Sequence, residues 1–156
     1  MKIIFLDIDG VFVTRKSLNI SDSARDKYGH LFDPVTVKRF DRIIRKTGAK
    51  IVISSAWRMS GLQVMQQMWK DRNLPGDVID ITSNIGMGQR GPQIAHWLDG
   101  NFTVDNYILI DDSAGGLDDD QLLRLVRTTF DDGLQDIHAD MAIKLLNSDD
   151  GKLGSA

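Results

Sequence analysis

The sequence predicts a doubly wound α/β domain, a parallel sheet covered on both faces by helices. Three observations carry this reading. Short apolar runs with no polar alternation (Ile3 to Leu6, Ile51 to Ile53, Tyr107 to Ile110) have the pattern of strands buried on both faces. Amphipathic stretches separate these runs. The chain of 156 residues has the length of one compact domain and contains no repeat, low-complexity block or dividing linker.

The elements follow in order. Lys2 to Leu6 reads as the first strand. Asp33 is placed to cap a helix that Pro34 opens, Val37, Phe40, Ile43 and Ile44 share one face of it, and Gly48 ends it. Lys50 to Ile53 is the second strand, followed by a helix from about Gly61 to Arg72 that turns Leu62, Met65, Met68 and Trp69 inward. Pro75-Gly76 is a turn, Val78 to Ile81 a shorter strand, Pro92 to Leu98 a short helix and Tyr107 to Ile110 a third strongly apolar strand. Leu123 to Thr129 fits either helix or strand, and Val126, Thr128 and Thr129 favour an edge strand. A closing helix is expected to bury Leu134, Ile137, Met141 and Leu145. Residues 1–148 are read as a single domain, and 149–156 as a polar tail or an expression scar.

Composition narrows the function classes. Hydrophobic residues at 42% and charged residues at 26% match a globular chain rather than a disordered or fibrous one. The absence of cysteine excludes a disulfide framework, thiol catalysis and cysteine-ligated zinc, so any metal sits on oxygen or histidine. A net charge of −3 lacks the overall basicity of a protein that holds nucleic acid by charge alone. The segment Met1 to Leu6 is too short for a membrane span and has no small-residue cleavage site. The expectation is a cytoplasmic protein with no membrane partner.

The chemistry sits where the strands end. Asp7-Ile8-Asp9-Gly10 follows the first strand, Ser54-Ser55-Ala56-Trp57-Arg58 the second, and Asp111-Asp112-Ser113 the third. In open α/β sheets ligands bind beyond the carboxyl ends of the strands, so neighbouring strands would bring these groups to one crevice. Four carboxylates there require a cation or a proton between them, and a hard divalent ion with oxygen ligands suits them. Magnesium is expected, because it needs only one or two carboxylates beside waters and a phosphate oxygen.

Asp7 beside such an ion can attack phosphorus, and a protonated Asp9 can give its proton to the leaving oxygen. Gly10 permits a sharp turn. Ser54, backbone N–H groups and a cation would hold the phosphoryl oxygens, and Arg90 is the best-placed cation, close to a predicted helix start.

Leu6-Asp7-Ile8-Asp9-Gly10-Val11, the serine after Lys50-Ile51-Val52-Ile53, Arg90, and Ile108-Leu109-Ile110-Asp111-Asp112 resemble, in order and rough spacing, the four motifs of the haloacid dehalogenase-like (HAD) hydrolases. Ser54-Ser55-Ala56-Trp57-Arg58, Arg90 with Ile94-Ala95-His96-Trp97-Leu98, and Gly133-Leu134 more narrowly resemble small HAD domains of nucleic-acid repair phosphatases, including those fused to RNA repair enzymes.

The resemblance spans most of residues 3–147. It implies a Rossmann-like phosphatase core acting through an aspartyl phosphate, with Asp7 as nucleophile and Asp9 as general acid/base. Ser54 and Arg90 would lie on the phosphate, and Asp111 and Asp112 would hold magnesium with Asp7 and the Asp9 backbone carbonyl. Arg90 stands where the family usually has lysine. The stretch between Gly10 and the second strand, a loop of about 12–32 and one helix, is too short for the large cap of many relatives. A capless crevice suits a large substrate such as a polynucleotide phosphate end.

Several residues carry two readings. Ser54 and Ser55 are adjacent and either can face a phosphate. Arg58 can bind phosphate or anchor its loop with equal weight. Trp57 and Trp97 can stack on bases, but core packing is favoured. The basic run Lys38, Arg39, Arg42, Arg45, Lys46 and Lys50 reads as a solvated helix face before a nucleic-acid track, since Asp41 interrupts it. Asp118-Asp119-Asp120 reads as a helix start. His30, His96 and His138 lack ligand spacing and read as structural or surface residues. Beside the phosphatase reading stand a receiver-like or non-catalytic phosphate-binding module and a phosphatase of small metabolites. Oligomeric state is open.

Overall fold

The computed structural model describes residues 1–20 and 24–153. Residues 21–23 of the expected 12–32 loop and 154–156 of the expected tail lie outside the described residues.

Strand β1 (Lys2–Leu6) is central. It pairs in parallel with β4 (Lys50–Ile53) on one side and β6 (Asn106–Asp111) on the other. Outside these lie β5 (Val78–Ile81) against β4 and β7 (Leu125–Arg127) against β6, both parallel. With the five strands of this sheet counted in chain order, their spatial order is 3-2-1-4-5. That is the Rossmann-type order, not the 2-1-3-4-5 of the flavodoxin-like folds used by receiver domains. The chain leaves β1 toward one edge and returns to pair on its other side at β6. The switch point of the sheet, where such folds build their ligand sites, therefore lies between β1 and β6.

Alternating side chains of β1 feed two cores. Ile4 and Leu6 pack with Phe40, Met65, Met68 and Ala142 on one face, which is covered by α2 (Pro34–Thr47), α3 (Leu62–Asp71) and α6 (Asp136–Asn147). Ile3 and Phe5 pack with Ile94, Trp97 and Tyr107 on the other, which is covered by α4 (Arg90–Asp99). The α2 boundaries follow from local chemistry: the Asp33 side chain accepts from Val35 N–H, Pro34 takes the first turn, and Gly48 closes the helix in the left-handed region at φ 66°.

Four elements differ from expectation. The 12–32 stretch is more than loop: it holds α1 (Arg15–Ile20) and an antiparallel hairpin of β2 (Arg25–Asp26) and β3 (Gly29–His30). Helix α4 begins at Arg90, two residues before Pro92, so the arginine occupies its first turn. Leu123 to Thr129 divides: α5 (Asp119–Leu123) ends where the run begins, and β7 supplies the edge strand.

The fourth difference is the inward face of α6, which is Ala139, Ala142 and Leu146, while Ile137 is 68% and Met141 43% exposed. Leu134 is buried but precedes the helix. Small alanines let α6 lie close on α2, and Arg39 and Arg42 of α2 pair with Asp136 and Asp140 at that contact. The periodicity of the larger side chains therefore held for Leu134 and Leu145, which pack on the core, and failed for Ile137 and Met141. Residues 149–151 form a short 3-10 turn, and Leu153 N–H donates to Asp105 C=O. Among the described residues, no helix is long and apolar enough to cross a membrane.

Candidate active site

The ladder of the sheet continues one step beyond the strands. Asp7 N–H donates to Ile110 C=O at 2.9 Å and Ser54 N–H to Leu6 C=O at 3.0 Å. The register, Leu6 opposite both Ile53 and Ile110, then fixes Asp7, Ser54 and Asp111 side by side at the switch point. After Asp7 the chain coils, with the Ile8 carbonyl accepting from the N–H groups of Val11, Phe12 and Val13. Thr128 Oγ1 donates to Gly10 C=O at 2.6 Å and pins this turn to the segment after β7.

Asp7, Asp111 and Asp112 form the carboxylate cluster, their ligand oxygens all within 4.8 Å of one another. Asp9 does not join it: of the four carboxylates expected together, three converge. Its exposed side chain accepts instead from the Trp57 indole Nε1–H, at 3.2 Å to each oxygen.

Arg90 enters the cluster from the first turn of α4. Its Nη2 lies 3.4 Å from Asp7 Oδ1, and its Nε 3.1 Å from Asp111 Oδ2. Its Nη1 is buried with no hydrogen-bond acceptor among the described residues. Asp7 Oδ1 also accepts from Ile8 N–H at 2.9 Å, so one oxygen of this carboxylate is fixed by two donors. Asp111 Oδ1 accepts from Ser113 N–H at 3.0 Å.

One guanidinium among three carboxylates leaves an excess of negative charge in a buried place. Burial first, and then the Asp111 charge, lift the Asp7 carboxyl from 3.8 to about 8 against the opposing pull of Arg90 and the Ile8 N–H. Burial likewise raises Asp111, with Arg90 opposing and Asp112 adding to the rise. The donor set fits a hard divalent cation: all the ligands are oxygens, and the charge excess is what a cation would relieve.

The two serines separate by role. Ser55 Oγ accepts from Trp57 N–H and so caps the 3-10 turn 56–60. Ser54 is buried beside Asp7, and its hydroxyl has no hydrogen-bond partner among the described residues. Arg58 is buried behind them and directs its guanidinium at three carbonyls, those of Thr82, Ser55 and Ser83. This is the loop-anchor arrangement rather than an open phosphate contact. Burial, and then the nearby Arg90, lower its pKa.

Other expected residues fall elsewhere. Trp97 is core, edge-on to Phe5 at 5.4 Å, and its Nε1–H donates to Asp80. The basic run is largely spent on neighbours: Arg39 and Arg42 on α6, Arg45 on Asp41, Lys50 on Asp77. Asp118 caps α5 in a capping box with Gln121, as a helix start should. His138 completes the capping box that opens α6. A separate cleft of about 750 Å³ lies behind the β2–β3 hairpin, lined by Asp26, Phe32, Val37, Asp71 and Arg72, and shares no residue with the carboxylate cluster.

The family model for the HAD domain in Swiss Army Knife RNA repair proteins matches residues 3–139. The chain belongs to that family. No curated protein and no solved structure matches it. For this HAD domain, membership agrees with the four-motif resemblance and with the capless Rossmann-like core, and it suggests a hydrolase of the phosphatase type.

Three supporting residues of the HAD site were not evident from sequence. Thr128 holds the Gly10 carbonyl, Trp57 holds Asp9, and Gln121 Nε2–H donates at 2.9 Å to Gly91 C=O in the first turn of α4. The helix start at Asp118-Asp119-Asp120 was legible, but the reach of Gln121 to Gly91 depends on tertiary packing.

Proposed function

We propose that this HAD domain is a magnesium-dependent phosphomonoester hydrolase that acts through an aspartyl phosphate on Asp7. The observation that carries the reading is the buried Asp7 carboxylate in one cluster with Asp111 and Asp112, with Arg90 reaching both Asp7 and Asp111.

Asp7, Asp111 and Asp112 would hold the ion, and when bound it supplies Lewis-acid polarisation of a phosphoryl oxygen and compensates the carboxylate charge. The chain's own groups do the rest. Ile8 N–H and Arg90 fix the Asp7 carboxylate plane, so that an oxygen is presented to phosphorus in one orientation. Ser54 Oγ, Arg90 Nη1 and the N-terminus of α4 offer donors to the phosphoryl oxygens.

As a bond forms from the Asp7 oxygen to phosphorus, the phosphorus–ester oxygen bond breaks and Asp9 gives its proton to the departing oxygen. In the second step Asp9 takes a proton from water attacking the same phosphorus. Inorganic phosphate leaves, and the Asp7 carboxylate returns.

A polynucleotide phosphate end is the proposed substrate. Two features support it: membership in a family described from RNA repair proteins, and a crevice flanked by a two-stranded hairpin in place of a large cap. Asp7→Asn should abolish hydrolysis of an aryl phosphate in magnesium, and retained turnover would contradict the mechanism. A screen of end-phosphorylated oligonucleotides against nucleotides, sugar phosphates and phosphopeptides should favour the oligonucleotides; cleavage of small metabolites alone would overturn the substrate assignment.

A further inference from the structure

The carboxylate of Asp9 has one hydrogen-bond partner among the described residues, the indole of Trp57, whose Nε1–H lies 3.2 Å from each oxygen. Asp9 is otherwise exposed, and a free carboxylate at a turn would sample several rotamers.

The donor that restrains it is itself held. Trp57 N–H is capped by Ser55 Oγ, which fixes the backbone, and the ring packs at 66° against Phe32 with centroids 5.8 Å apart. A Cβ on Gly29 of the hairpin would come within 3.3 Å of the ring edge, so the hairpin lies directly against the indole. Arg72 closes the remaining side, its guanidinium 5.8 Å from the Trp57 ring and 4.9 Å from that of Phe32. Arg72 is in turn fixed by two hydrogen bonds to Asp26, at 2.7 and 2.8 Å, and one to Gly29 C=O at 3.1 Å.

We infer that Trp57 is the positioning residue for the general acid: its indole N–H, braced by the β2–β3 hairpin and Arg72, holds the Asp9 carboxyl in the orientation from which it protonates the leaving oxygen. This rests on the phosphatase reading above. The indole is suited to the task because it only donates. It can orient a carboxyl group without accepting that group's proton, which remains available to the substrate. Trp57 touches no reacting atom, and the cost of losing it falls on proton delivery rather than on attack by Asp7.

That division gives the test. Proton donation matters most when the leaving oxygen is basic, so wild type, Trp57→Phe and Asp9→Asn are compared on an alkyl phosphate and on p-nitrophenyl phosphate in magnesium. Trp57→Phe keeps an aromatic ring and removes the N–H. The quantity compared is kcat/KM, which covers the steps only as far as release of the leaving group and so leaves out the second step, common to both esters. For Trp57→Phe it should fall on the order of 10- to 100-fold on the alkyl ester, a fraction of what a general acid supplies, and much less on the nitrophenyl ester. Asp9→Asn should show the same selectivity more strongly, and adding Trp57→Phe to it should cost little more, since the two act as a unit.

Arg72→Lys, which breaks the paired contact to Asp26, gives a second route should Trp57→Phe fold poorly. It should show the same selectivity at smaller size. Equal losses on both esters, no loss, or full additivity with Asp9→Asn overturn the positioning role while the phosphatase reading stands. A wild-type chain that turns over neither ester overturns that reading, and this role with it.

Discussion

A β-carbon placed on Gly10 would stand 2.3 Å from Asp112 Oδ2. Asp112 can reach the cluster because position 10 carries no side chain, and the turn there also takes φ +82°, which L side chains avoid. Gly10→Ala should therefore displace the Asp112 carboxylate. Magnesium affinity by calorimetric titration should fall by roughly tenfold or more, as for groups that orient metal ligands, with turnover falling in step. An alanine variant with wild-type magnesium affinity would show that Asp112 is not a ligand.

The buried carboxylates make the stability of the metal-free chain depend on pH. Burial and Asp111 hold the Asp7 carboxyl at about 8, against 3.8 unperturbed. Between those values the folded chain keeps a proton that the unfolded chain has released, so this stabilisation is complete below 3.8 and is lost as pH rises through about 8. His138 works in the opposite direction, since burial and Arg39 hold its pKa below 6.5 and favour folding as pH rises. Asp7→Asn keeps His138 and removes the Asp7 titration. In chelator, thermal melts from pH 5 to pH 8 should therefore fall more steeply for wild type than for Asp7→Asn. Parallel curves for the two would contradict this.

Gln121 ties α5 to the start of α4. Its Nε2–H donates to Gly91 C=O in a buried place, and its Oε1 accepts from Asp118 N–H in a half-buried one. Gln121→Ala should cost about 1–3 kcal/mol in denaturant unfolding, because it leaves a buried carbonyl unsatisfied. Through the shifted α4 terminus, it should also raise KM for an aryl phosphate more than it lowers kcat. Unchanged stability and KM would remove Gln121 from the support of Arg90.

The basic face of α2 gives a contrasting prediction. Arg42 pairs with Asp140 and Arg45 with Asp41, both at the surface. The double substitution Arg42→Gln and Arg45→Gln should change stability by no more than about 1 kcal/mol, the range of exposed ion pairs. KM for an end-phosphorylated oligonucleotide and its salt dependence should stay at wild-type values. A weakened salt slope would make this helix a nucleic-acid track after all.

The legible parts of the fold were those fixed by local chemistry. The strands Lys2–Leu6 and Lys50–Ile53 are continuous apolar runs, and α2 has an aspartate cap, a proline in its first turn and a glycine stop. The gathering of Asp7, Ser54 and Asp111 was legible because each directly follows an apolar run, and parallel register does the rest.

Where partner identity decides, the sequence was silent. The face of α6 is set by alanines against α2, which carry little hydrophobic signal of their own. Asp9 leaves the carboxylate cluster for an indole 48 residues away. Ser55 and Arg58 each carried two readings, because the turn that Ser55 caps and the carbonyls that Arg58 holds are set by how the loop packs.

The central claim, that Asp7 attacks phosphorus, is tested most directly by trapping the acyl phosphate. Wild-type chain in magnesium is mixed with an aryl phosphate, quenched in acid during turnover and digested, and the peptide spanning Phe5 to Thr14 is read by mass spectrometry. The account predicts one phosphoryl group on that peptide at Asp7, labile to hydroxylamine, and none in Asp7→Asn. Turnover with the peptide unmodified and the phosphoryl group on another residue would contradict it.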